Sequence, residues 1–203
     1  DNVGLGRALA KGVLLCSNEL IARMDTDDIA KEDRFEIQYN YMKAHADVAV
    51  TGGFMEEFDD QDASYHSIKQ MPEYMEEILK YARYRNPLNH MTVMFRKDSV
   101  LQAGNYRHFP YLEDYDLWSR MLTQGARFYN IQRVFVCART GRELYARRGG
   151  GSYCRQYLKL RRQQHEEGLT DFKEYQIAKI LTVGMTVQPS MLRKKVYQKI
   201  LRK

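Results

Sequence analysis

Glu19-Leu20-Ile21-Ala22-Arg23-Met24 alternates as a strand does and stops at Asp25-Thr26-Asp27-Asp28, after which Ile29 to His45 repeats apolar residues with a helical period through Phe35, Tyr39 and Met42. A strand, a knot of carboxylates and a helix in that order demand a layered α/β fold. In such a fold ligands gather beyond the carboxyl ends of the strands, which is where the carboxylates fall.

The rest of the chain continues the alternation. Asn2 is placed to cap a helix through about Lys11 with Gly12 ending it, and Asp47 to Met55 reads as a strand in which Gly52-Gly53 signal close backbone approach. Phe54 to Ile68 suggests two short strands around Asp59-Asp60-Gln61-Asp62. Pro72 opens a helix to about Arg85, Asn86-Pro87 break it, and Met91 to Arg96 is strand-like. A short helix ends at Gly104; Glu113 to Gln124 is a helix stopped by Gly125; Arg133 to Ala138 is a last strand. Helices fill most of the remainder, with breaks near Gly168 and Gln188-Pro189. The domain reading is a catalytic domain over residues 1–150 and a helical extension over 151–203.

Charge narrows the partners. Lys and Arg number 32 against 26 Asp and Glu, but Pro189 to Lys203 alone holds six basic residues and no acidic one. The rest is charge-balanced, which argues against nucleic acid. Met191 to Lys203 has Leu192, Val196 and Ile200 on one stripe, an amphipathic basic helix suited to an anionic membrane surface, or to docking on the core. Cys16, Cys137 and Cys154 have neither zinc-ligand spacing nor an even count, so buried thiols in a reducing cytoplasm are expected. No apolar run is long enough to span a bilayer.

Two acidic clusters can carry chemistry. Asp25, Asp27 and Asp28 offer hard oxygens that suit Mg²⁺ or Mn²⁺ bridging to a diphosphate; the same residues also describe a solvated turn with an N-cap. Glu113, Asp114 and Asp116 fall in a helix's first turn, where acids offset the helix dipole, and Leu117-Trp118 follow for packing or stacking. The loop Arg139 to Arg155, with Arg142, Arg147, Arg148 and Gly149-Gly150-Gly151, has the arginines and glycines of a flap over a diphosphate, and equally those of an exposed loop. Gly4 and Gly6 do not make a dinucleotide fingerprint, because Leu9 stands where a third glycine is needed.

In order along the chain, these segments resemble family 2 glycosyltransferases of the GT-A fold. Asn2 to Gly12 resembles the family's N-x-G-x-x-x-A-R-N-x-G helix, Leu20 to Asp28 its strand ending in D-x-D-D, Asn89 to Arg96 with Gly104-Asn105-Tyr106 its acceptor-side segment, and Glu113 to Trp118 its E-D-x-D-L-W motif. The resemblance implies a mixed sheet flanked by helices, lacking the family's first βαβ unit, with a helical C-terminal tail. It implies an inverting transfer from a nucleotide sugar, a UDP-sugar at family level, to a hydroxyl of a glycan or lipid-linked acceptor in cell-envelope synthesis. Asp25 and Asp27 would hold the metal and diphosphate, Arg7 the nucleotide, and Asp114 would act as general base. Glu113, Asp116 and Trp118 would contact the acceptor. The family's opening segment is absent, so the chain reads as part of a longer protein, and Glu32 replaces a common proline. Two other readings stand beside this one: an inactive sugar- or metal-binding module, and a Mg²⁺-dependent phosphoryl-transfer enzyme with Asp25 as nucleophile.

Overall fold

A computed structural model describes residues 3–59, 62–139 and 149–188. Its elements are α1 (Leu5–Leu15), β1 (Leu20–Ala22), β2 (Ile29–Ala30), α2 (Arg34–Ala44), β3 (Val48–Asp59), β4 (Asp62–Lys69), α3 (Met75–Ala82), β5 (Met94–Arg96), α4 (Lys97–Gln102), α5 (Glu113–Thr123), β6 (Arg127–Arg139), α6 (Gly151–Glu166) and α7 (Phe172–Val187). One mixed sheet runs β1-β5-β3-β6-β2, with β4 paired on the far half of β3. β3 lies parallel to β6 and antiparallel to β5 and β4.

β3 is the spine, and its two glycines let it be crowded. A Cβ on Gly52 would stand 2.4 Å from Asn130 Oδ1, and one on Gly53 2.3 Å from the Phe135 ring. Thr92 ties the same point to the turn before β5, because the Gly53 amide donates to its hydroxyl at 3.1 Å. The principal core, with Val50, Ile78, Val93, Phe95, Leu117, Trp118, Met121 and Phe128, fills the space between the sheet and helices α3, α4 and α5.

Three elements differ from the sequence expectation. Gly12 does not end α1, which runs to Leu15: a Cβ there would meet nothing, and Lys97 Nζ donates to the carbonyls of Leu14 (3.3 Å) and Cys16 (2.6 Å) at the helix end. Ile29-Ala30 are strand rather than helix, paired with Cys137 and Val136 of β6, so α2 begins only at Arg34. The last strand is also longer than expected, beginning at Arg127.

Arg34 is buried, and its guanidinium donates to the carbonyls of Arg23 (2.8 Å) and Val93 (3.3 Å) and to Gln38 Oε1 (3.0 Å). Burial, and secondarily the charge of Arg23, push it down to about 10. This contact fixes α2 to the end of β1, where the first acidic cluster starts.

At the C-terminal end, α6 and α7 pack together and onto α5 through Arg161. Its guanidinium donates to Tyr115 Oη at 2.8 Å and to the Tyr84 carbonyl at 2.5 Å. Arg83 pairs with Glu174 of α7 at 2.5 Å. Residues 189–203, including the expected basic helix, lie outside the described residues, as do 140–148 of the arginine- and glycine-rich loop.

Candidate active site

The first acidic cluster hangs between β1 and β2. Arg23 continues β1's direction by donating its amide to the Val93 carbonyl at 3.0 Å, and the turn closes with the Asp28 amide on the Asp25 carbonyl at 3.4 Å. The Arg139 amide, at the end of β6, donates to Asp28 Oδ1 at 3.1 Å. The carboxylates are therefore held where β1 and β6 both finish.

Their surroundings are unequal. Arg23 grips Asp25 with two hydrogen bonds, 2.7 and 2.5 Å, in the planar fork that guanidinium and carboxylate share. Asp27 is exposed. Asp28 is partly buried and its Oδ2 has no hydrogen-bond partner among the described residues. Burial pushes the Asp28 carboxyl up, repulsion from Asp25 and Asp27 adds to that, and the Arg139 amide and Arg23 charge oppose it.

The second cluster opens α5. Tyr111, at φ 72° in the left-handed region, turns the chain so that Glu113, Asp114 and Asp116 enter the helix's first turn. Asn86 Nδ2 donates to Asp114 Oδ2 at 2.5 Å. Glu113 is largely buried, and that burial raises its carboxyl, with Asp114 adding to the rise and its own backbone amide opposing it. Gly6 of α1 lies directly on this turn: a Cβ there would stand 2.2 Å from the Arg107 carbonyl and 2.9 Å from Glu113 Cγ. Arg7, the next residue, is exposed.

Asp116 and Trp118 are turned inward, away from any acceptor. Asp116 is 2% exposed and accepts both Nε (3.1 Å) and Nη2 (2.8 Å) of Arg120, which also donates to the carbonyls of Ala103 and Asn105. That pair clamps the turn at Gly104. Trp118 is fully buried, edge-on to Phe128 with ring centroids 5.9 Å apart and beside Phe95 and Tyr106. The acceptor roles expected of these two have no geometric support, since both side chains are buried.

His90 joins the clusters. The imidazole Nε2 and the Tyr106 hydroxyl share a hydrogen bond of 2.9 Å. Burial drives the imidazole down to about 4, with Asp114, then Arg23, then Asp25 acting electrostatically on it. Tyr106 is raised, first by burial and then by Asp114. Carboxylates 89 positions apart in sequence thus both act electrostatically on one ring. In the sequence His90 is only part of the acceptor-side segment, and neither it nor Arg23 nor Asn86 stands out as a site residue. Their signal was adjacency to the motifs: Arg23 two residues before Asp25, Asn86 at the Asn-Pro break.

A divalent ion fits these residues only in part. Among the described residues no three His, Cys, Asp or Glu side chains converge as a ligand set. Each oxygen of Asp25 accepts one hydrogen bond from Arg23, while exposed Asp27 and the unpartnered Oδ2 of Asp28 are hard oxygen donors without that competition. These are the residues that would hold such an ion. The three cysteines are free and partly exposed rather than buried.

The mixed sheet with its acidic turn at the strand ends is that of GT-A type glycosyltransferases. By structure the chain superposes on S. aureus TarS residues 1–349 in complex with UDP-GlcNAc (TM-score 0.61, 10% identity, 97% of this chain and 56% of that one). It also superposes on the mannosyltransferase PcManGT of Pyrobaculum calidifontis in complex with GDP-Man and Mn²⁺ (TM-score 0.59, 10% identity, 98% and 55%). By sequence, Glycosyl transferase family 2 matches residues 1–103. The chain is 40% identical over 161 residues to the amylovoran biosynthesis glycosyltransferase AmsE of Erwinia amylovora (79% of this chain, 60% of that protein). It is 33% identical over 202 residues to the UDP-Gal:alpha-D-GlcNAc-diphosphoundecaprenol beta-1,3-galactosyltransferase of Escherichia coli (100% of this chain, 73% of that protein). The chain belongs to glycosyltransferase family 2, and it spans 60% of the length of AmsE and just over half of each of these two solved structures.

Proposed function

We propose that the protein containing this chain transfers a sugar from a nucleoside-diphosphate sugar, a UDP-sugar in the first instance, to a hydroxyl of a glycan or lipid-linked acceptor, with inversion, in cell-envelope polysaccharide or glycolipid synthesis. The observation that carries this reading is geometric: in a GT-A type sheet the acidic turn Asp25 to Asp28 is held where β1 and β6 finish, and Asp114 stands in the first turn of α5 with its carboxylate held by Asn86. The relatives named for amylovoran synthesis and for galactosyl transfer to a diphosphoundecaprenol-linked sugar support the pathway class.

In this reading Asp114 accepts the proton of the acceptor hydroxyl as its oxygen attacks the anomeric carbon, and the bond to the diphosphate oxygen breaks on the opposite face. Asp27 and Asp28, with Asp25 when released from Arg23, would hold Mn²⁺ or Mg²⁺, which would supply Lewis-acid neutralisation of the departing diphosphate. The guanidinium fork of Arg23, beside this turn, also suits phosphate oxygens. Arg7, exposed on α1, faces solvent from which a nucleotide can approach. Glu113, next to Asp114 and largely buried, would reach an acceptor only from the edge of the α5 turn. The phosphoryl-transfer alternative leaves Glu113 and Asp114 at the start of α5 without a role, and it is not the reaction of the family to which the chain belongs.

We also place the enzyme at the cytoplasmic face of the membrane, its C-terminal segment against anionic lipid, where a lipid-linked acceptor resides. Among the described residues no helix is long and apolar enough to cross a bilayer.

The test is turnover by the full-length protein with UDP-galactose, UDP-glucose, UDP-GlcNAc and GDP-mannose. Turnover of at least one donor is expected, abolished by chelation, restored by Mn²⁺ or Mg²⁺, and lost in Asp27→Ala. Donor turnover that is unchanged by chelation and by Asp27→Ala would remove the metal from the account.

A further inference from the structure

We propose that Asn86 is a positioning residue that orients the Asp114 carboxylate for proton abstraction. The inference rests on the reading of Asp114 as general base. Asn86 Nδ2 donates to Asp114 Oδ2 at 2.5 Å, across 28 residues of sequence. The other end of the same amide is also fixed, because Asn86 Oδ1 accepts the Leu88 amide at 3.3 Å. Pro87 stands between them, and Leu88 is buried in the principal core at 1% exposure. The turn that breaks the chain after α3 therefore sets the plane of the Asn86 amide, and the amide sets the carboxylate.

The consequence is a division of labour between the two oxygens of Asp114. The hydrogen bond from Asn86 falls on Oδ2, which leaves Oδ1 for an acceptor hydroxyl. A neutral amide suits this task. An arginine at the same place would fix the carboxylate equally well but would stabilise its charged form far more strongly, at the expense of its basicity. Asn86 supplies one hydrogen bond and no charge. Geometry of this kind matters because a base must lie within hydrogen-bond reach of the proton it removes, in a pose that does not wander.

The experiment uses the full-length protein with UDP-galactose, and reads both donor hydrolysis and transfer to alpha-D-GlcNAc-diphosphoundecaprenol, in wild type, Asn86→Ala, Asn86→Asp, Asp114→Asn and the Asn86→Ala/Asp114→Asn double variant. Asn86→Ala is expected to lower kcat about 10- to 100-fold, the worth of one hydrogen bond to a charged group, with donor KM unchanged. The double variant is expected to be no slower than Asp114→Asn alone, since Asn86 acts only through that carboxylate. In Asn86→Asp two carboxylates at hydrogen-bond distance hold a proton between them, so the acidic limb of kcat/KM against pH moves to higher pH. An inactive Asp114→Asn beside an Asn86→Ala of wild-type kcat overturns the positioning role and leaves the base intact. An active Asp114→Asn removes the base itself. A crystal structure of Asn86→Ala decides independently of turnover: Asp114 is expected to leave its wild-type rotamer, and an unmoved carboxylate overturns the proposal.

Discussion

His90 stands where a proton would be costly, and this has a sign that can be worked out. Its folded-state value lies near 4, against the ordinary 6.5, and burial is the main cause. Between those two pH values the unfolded chain binds a proton that the folded chain refuses. The stability that a neutral His90 contributes is therefore complete above pH 6.5 and is lost as the pH falls towards 4, by at most about 1.4 kcal/mol per pH unit. Asp28 and Glu113 are shifted upward and act in the opposite sense, but they remain in a His90→Gln variant and cancel in a comparison. Urea unfolding of wild type and His90→Gln at pH 7, 5.5 and 4.5 is expected to show the wild type losing stability relative to the variant as the pH drops. Parallel curves would mean that His90 takes up its proton freely in the folded state. At this scale the carboxylates were legible in the sequence, because acids at a strand end and at a helix start are local patterns. Asn86, Arg23 and the inward turn of Asp116 and Trp118 were not, because each depends on which partner the fold brings to it.

The elements show the same limit. α5 and the hairpin of β3 and β4 follow from local signals, and Gly52-Gly53 meant close approach as expected. α1 outran Gly12 because a lysine from α4 caps it, and Ile29-Ala30 joined the sheet because β6 offered them an edge. α7 carries a prediction of its own. Ile180 (72% exposed), Leu181 (53%) and Val187 (73%) leave much of this helix apolar and uncovered, and the six basic residues of 189–203 follow directly. Apolar side chains backed by positive charge favour an anionic bilayer surface. Co-sedimentation of the full-length protein is expected with phosphatidylglycerol-containing vesicles at low salt, reduced by salt, by zwitterionic vesicles and by Ile180→Ser/Val187→Ser. Equal recovery with all vesicles would refute a charge-assisted membrane contact.

Across the whole molecule, the sheet places two acids from distant segments at one end of its strands while α1, α2 and the Gly104 turn are locked beneath them. Arg34 fixes the end of β1, and Arg120 fixes the approach to α5. Alternation of strands and helices made the α/β class readable, and the order of motifs made the family readable. The strand order, with β5 between β1 and β3, was not, since pairing between segments some 70 residues apart leaves no local trace. The central claim is that Asp114 takes the proton of the acceptor hydroxyl while other residues bind the donor. It is tested most directly by measuring donor affinity by calorimetry and turnover side by side in wild type and Asp114→Asn of the full-length protein. The account predicts donor affinity within about threefold of wild type and turnover lower by about 10²- to 10⁴-fold. Undiminished turnover in Asp114→Asn would contradict it.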